Sequence, residues 1–333
     1  MLGTIVLEHA RRAAALAMVI AVAGCGGAVP PLPSQGGPEW RELVTDHFTV
    51  WTDGSEQRGR ELLREMERFR QIIAGVAFPG SRTELRDFVV VLRDDDELAA
   101  FSPTGEPRPF AVTGSEPMVV LSAYSNLNPS DRAVVHELTH AISSSVIQHQ
   151  PRWFAEGMAE FFETVDTDAD STTADVGVAP SYRGQPLQMG HLVPVAKLLA
   201  WRAVSPGERS EYSTAWALFT YLINGHRVEF RHYMQLLDEP SDDDSPGARA
   251  TRQWNEAFPS LPLGAVDLEL QQWLLSGNHR VLHLNIKLGD WKVVIRDVRE
   301  LDVERLRSRL RSLATERDAP RSAATSNATK RDF

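Results

Sequence analysis

The stretch VVHELTHAI, Val134–Ile142, decides how this chain is read. Val134, Val135, Leu138, Ala141 and Ile142 recur at helical spacing, which predicts a helix buried along one stripe. His136 and His140 are four residues apart, so their imidazoles leave the same side on successive turns and can converge on one ion. Glu137 stands beside them, where its carboxylate reaches a water on such an ion rather than the ion itself. Upstream, Asn128 suits the N-cap, Pro129 the first helical position, and Asp131 the positive end of the helix dipole.

Two histidines supply half of a tetrahedral metal shell, and a catalytic site adds a third protein ligand while leaving the fourth position open. PRWFAEGMAEFFE, Pro151–Glu163, predicts a second helix after a short connection, with Trp153, Phe154, Met158, Phe161 and Phe162 on its buried side. An antiparallel helix pair joined by a short turn sets residues at similar distance from the turn opposite one another, which points Glu156 at His136 and His140. Glu163 reads as part of a solvated face. Gly157, without a side chain, is expected to let the two helices approach closely at the metal.

HELTH, followed after fifteen intervening residues by EGMAE, resembles the gluzincin metallopeptidases, the group that includes thermolysin and the zinc aminopeptidases, and particularly their peptidase MA-like bacterial branch. The motif match covers 128–163, with looser agreement in element order over 40–237. The resemblance implies Zn2+ held by His136, His140 and Glu156, Glu137 as general base, and Glu160 as the acidic residue that orients a ligand histidine through its other ring nitrogen. The family usually carries Asn before the ligand glutamate, where this chain has Ala155. No GAMEN-like stretch of the aminopeptidase branch is present, so recognition of a free N-terminus is not implied; MVVLSA, 118–123, is instead expected as an edge strand for an extended peptide. Tyr212, Tyr182, His191 and His226 are candidate donors to a developing oxyanion. Tyr212 is favoured, because YSTAWALFTYLI is an amphipathic segment and the resemblance places a tyrosine at the start of such a segment; His191 and His226 read as structural.

The expected fold class is α+β, a small N-terminal mixed sheet with helices followed by a mostly helical zincin region. HFTVWTD and RDFVVVLR read as strands flanking a long helix over 55–76, and the aspartates 94–96 as a solvated helix start. The domain spans 40–240, with an α/β part over 40–127 and a helical part over 128–240; a helical and strand extension follows over 241–318 and a disordered tail over 319–333. Asp166, Asp168 and Asp170 imitate a calcium loop, but Ser171 and Gly177 stand where it needs glycine and glutamate. With 45 acidic residues against 35 Lys and Arg and a net charge of -10, no basic stripe exists to neutralise phosphates, so nucleic acid is not an expected partner.

At the N-terminus, His9, Arg11 and Arg12 precede the apolar run 13–23, which is too short to span a bilayer and fits a signal-peptide core over 1–24. VAGC ends it and resembles the lipobox of bacterial lipoproteins, which implies lipidation of Cys25, the single cysteine, and anchoring to the cell envelope. Residues 25–39 are rich in Pro and Gly and read as a flexible tether. The expected partners are a peptide or protein substrate and a membrane. The expected activity is hydrolysis of peptide bonds; the alternative is a zinc-bearing envelope lipoprotein that binds peptides without turnover.

Overall fold

An apolar run without alternation, such as Phe88–Leu92, belongs in a sheet covered on both faces. The computed structural model has that arrangement. It describes residues 29–80, 85–112, 116–127, 131–168, 172–179, 192–202, 209–239, 246–287 and 289–318. The expected signal peptide, Cys25, Asn128, Pro129, Tyr182, His191 and the tail 319–333 lie outside them.

Strands β1 (Arg41–Val44), β2 (Phe48–Thr52), β3 (Asp87–Leu92), β4 (Phe110–Val112), β5 (Met118–Ser122) and β9 (Val294–Asp297) form one six-stranded mixed sheet in the order β4-β5-β3-β2-β1-β9. β2, β3 and β5 are parallel, registered through Val50 opposite Val89 and Val90 opposite Val120. β4 pairs antiparallel with β5, and β9 antiparallel with β1. MVVLSA is therefore an inner strand, and the edge on that side is β4. A second sheet has the order β6 (Asp166–Thr167), β7 (Thr173–Val176), β8 (Leu282–Asn285).

Period-two alternation sends successive residues of the large sheet to different cores. Val50, Val89, Val91, Val119 and Leu121 join the larger core with α1 (Glu56–Val76), α3 (Arg132–Val146), α4 (Arg152–Phe162) and α6 (Arg209–Gly225). Val90, Leu92, Met118 and Val120 join a smaller core with α2 (Asp95–Phe101) and the C-terminal helix α10 (Glu300–Asp318). Helices α5 (Val195–Leu199), α7 (Arg227–Asp238), α8 (Pro246–Ala257) and α9 (Leu263–Ser276) extend the larger core away from the sheet. The class is α+β, a six-stranded mixed sheet with ten helices among the described residues.

Local signals set the helix starts. Ser55 caps α1 by accepting from Arg58 N, and Asp94 caps α2 by accepting from Glu97 N at 2.8 Å. Helix α3 begins later than expected, at Arg132. Asp131 occupies its N-cap position without a capping bond, because its carboxylate accepts from Asn126 N in the preceding loop at 3.1 Å.

Both chain ends differ from expectation. Residues 29–39 are docked rather than a free tether: Val29 and Leu32 pack on the smaller core, Ser34 N donates to Glu300 at 2.8 Å, and Arg307 Nη1 donates to the carbonyls of Pro30 and Pro31 at 2.8 and 3.1 Å. The segment 241–318 is not an appendage, since β9 forms one edge of the large sheet and α10 covers one of its faces. Prolines that cannot join a strand ladder still have carbonyls, and here a buried arginine collects them.

Candidate metal centre

Helix α4 carries aromatic and small residues on almost every side, so its two glutamates and the one at its C-cap have no polar face to share with water. Glu156, Glu160 and Glu163 are 8%, 1% and 6% exposed. The solvated reading of Glu163 is thereby corrected. Buried carboxylates require partners, and α3 supplies them.

α3 and α4 run antiparallel through the turn 147–151, which sets His140 beside Glu156 and His136 within reach of both Glu156 and Glu163. His136 Nε2 and His140 Nε2 lie 3.1 Å apart, and Glu156 Oε2 lies 3.3 and 3.5 Å from them. These three atoms are candidate ligands of one ion. Tetrahedral bonds of about 2.0–2.1 Å put ligand atoms about 3.3 Å apart, so the triangle has the size that zinc requires. Two imidazole nitrogens facing each other and one carboxylate oxygen are also the donor set that suits zinc. The residues fit the ion.

His136 Nδ1 is 3.1 Å from Glu163 Oε2. A carboxylate on the second ring nitrogen holds the tautomer that presents Nε2 to a metal. Glu163 thus occupies the position expected of Glu160. Glu160 itself is buried in the same cluster, a carboxylate oxygen of it lying within 4.8 Å of a His136 nitrogen and of Glu163. Burial pushes His136 down, but hydrogen bonds to Glu156 and Glu163 and their charges outweigh it and raise its pKa to about 10. Burial likewise pushes Glu156 up, and its hydrogen bonds to His136 and His140 prevail, holding it well below the usual carboxylate range.

The other oxygen of Glu156 is taken by a residue that sequence reasoning missed. Arg152 Nη2 is 3.0 Å from Glu156 Oε1 and donates to Tyr212 Oη at 3.2 Å. Tyr212 reaches this spot because α6 packs closely on α4: a Cβ on Gly157 would stand 2.5 Å from Ala215 O and 3.1 Å from Phe219 Cβ. Gly157 therefore serves the α4–α6 contact, not the approach of α3 and α4. Burial and the charge of Glu156 raise the Tyr212 pKa against the pull of Arg152, which keeps the phenol protonated at neutral pH.

Glu137 is half-buried on the turn that carries His136, and its carboxylate makes no hydrogen bond or ion pair among the described residues. His226 is at the N-cap of α7, with its Nε2 3.0 Å from Tyr221 Oη. Spacing carried the missed signals: Arg152 precedes Glu156 by one turn, and Glu163 follows it by two. No family model matches the chain, and no curated protein is similar to it in sequence.

Proposed function

We propose that this protein is a zinc-dependent peptidase of the bacterial cell envelope, anchored through a lipid on Cys25. The observation that carries the reading is the triangle of His136 Nε2, His140 Nε2 and Glu156 Oε2, with edges of 3.1, 3.3 and 3.5 Å. The gluzincin-like spacing of HELTH and EGMAE supports the same assignment. Bound there, zinc supplies Lewis acidity that polarises a carbonyl and makes water acidic near neutral pH.

The residues perform the remaining work. Glu137 takes a proton from the attacking water as its oxygen bonds to the carbonyl carbon, and passes that proton to the amine nitrogen as the C–N bond breaks. The protonated Tyr212 hydroxyl donates to the developing oxyanion. Glu163 holds the His136 ring in place throughout. The outer edge of β4, an antiparallel edge strand packed by α3, offers backbone groups to an extended peptide. Among the described residues no helix is long and apolar enough to cross a membrane.

Metal analysis of a fragment starting after Cys25 tests the reading. One zinc per wild-type chain is expected, with loss in His140→Ala and Glu156→Ala. Glu137→Gln should keep the zinc and lower peptide hydrolysis by about 100-fold or more. Zinc without cleavage of any peptide by the wild type would leave the peptide-binding lipoprotein as the surviving alternative. Wild-type protein that takes up no zinc would overturn both.

A further inference from the structure

Arg152 opens α4 directly after Pro151, one turn ahead of Glu156. Exposed i,i+4 pairs of this kind contribute little, but three observations set this one apart. Glu156 is buried, so the partner of its second oxygen is not exchangeable for bulk water. The guanidinium carbon lies 4.8 Å over the Trp201 ring, and that ring stands edge-on to Tyr212 at 5.1 Å. One nitrogen, Nη2, serves both Glu156 Oε1 and Tyr212 Oη.

We infer that Arg152 is a positioning residue that restricts Glu156 to ligation through Oε2 and sets the Tyr212 hydroxyl beside the same ion. The inference rests on the zinc reading above. A carboxylate with both oxygens open can turn or bind an ion with both; one oxygen held at 3.0 Å by a stacked guanidinium leaves the other facing the two imidazoles. The planar fork of arginine lets one nitrogen meet two acceptors while its face rests on an indole, and the ammonium of lysine has neither the plane nor the fixed donor directions. Arg152 is also the cation on the side of Glu156 away from Glu163, which steadies a cluster holding three buried carboxylates.

The test uses the full chain with zinc and with cobalt in its place, comparing wild type, Arg152→Gln and Arg152→Lys. Zinc affinity is read by competition with a chelator, and the visible absorption of the cobalt protein reports coordination number, which a merely structural role would not move. Arg152→Gln is expected to weaken zinc by about 10- to 100-fold and to change the intensity of the cobalt bands as Glu156 turns. Arg152→Lys should recover part of the affinity while keeping the altered spectrum; if Arg152→Gln fails to fold, this variant decides. Wild-type affinity and an unchanged cobalt spectrum in the folded variants would overturn the inference and leave the zinc site standing. A wild-type chain that binds neither metal would overturn the zinc reading itself, and the inference with it.

Discussion

The two faces of the large sheet each bury a cluster of charges, and the clusters differ in what they can do. On the α3 and α4 face, two histidines and three glutamates meet, with Arg152 at the margin. On the α2 and α10 face, Arg307 lies 3.5 Å from Glu97 Oε1 and 3.7 Å from Asp53 Oδ2, all three almost fully buried, with its guanidinium 5.5 Å over Trp40. Burial pushes the Glu97 carboxyl up to about 8, helped by the charge of Asp53. The second cluster holds no histidine and, among the described residues, no third carboxylate that could join Asp53 and Glu97 around an ion; Nη1 of its arginine donates to the carbonyls of Pro30 and Pro31. One cluster brings two imidazoles and a carboxylate together as a group that could hold an ion, and the other is built around a buried arginine. The comparison teaches that burial of charge alone does not mark a site; the donor chemistry does.

Removing the cation should separate the two faces most sharply. Arg307→Met leaves two buried carboxyls without their partner and is expected to cost about 3–5 kcal/mol of stability, with zinc affinity unchanged. Combining it with Asp53→Asn and Glu97→Gln should restore most of the loss, because an uncharged, packed replacement is tolerated where half of an ion cluster is not. Chemical denaturation with a parallel zinc titration checks both statements.

A pH series divides the faces next. The folded state keeps the Glu97 proton from its ordinary 4.5 up to about 8, whereas the unfolded chain releases it. The native state then binds more protons, so stability falls as pH rises across that window, by about 1.4 kcal/mol per unit at full effect. His136, raised to about 10, has the same sign over a later window: its contribution is complete below 6.5 and lost as pH rises through 10. Melting temperatures from pH 5 to 9 should lose the early slope in Glu97→Gln and the late slope on adding zinc, which requires a neutral ring. Zinc that flattens the early slope as well would join clusters that lie on opposite faces of the sheet.

The smallest expected effect lies at the α4–α6 contact. Gly157→Ala drives a methyl toward the Ala215 carbonyl and should cost about 1–3 kcal/mol as the helices separate. Since α4 carries Glu156, zinc affinity should fall along with the melting temperature. A stability loss with full zinc affinity would show that α4 and its glutamates adjust independently of α6.

The His136, His140 and Glu156 constellation was legible because helical spacing is local. Four residues make one turn, and a short connection makes an antiparallel pair. Glu163 was misread for a local reason too: its spacing from Glu156 and Glu160 describes a shared face, and only the aromatic and small residues around the rest of α4 show that the face is buried. β4 was hidden because a three-residue strand at a sheet edge has little periodicity to display; the strand-like character of β9 was visible, but its pairing with β1 was not. Gly157 was seen but given the wrong neighbour, since a glycine announces close approach without saying to what.

By itself the sequence determined the α+β class, the helix pair and the residue types that can hold an ion, because apolar periodicity and ligand spacing are properties of a few consecutive turns. Tertiary structure alone decided that Glu163 rather than Glu160 lies against the His136 ring nitrogen, that Arg152 and Tyr212 meet beside Glu156, and that 29–39 lies along α10. Each of these joins residues from elements whose relative placement depends on how both faces of the sheet fill at once. Such contacts are set by packing across the whole core, and no local pattern records them.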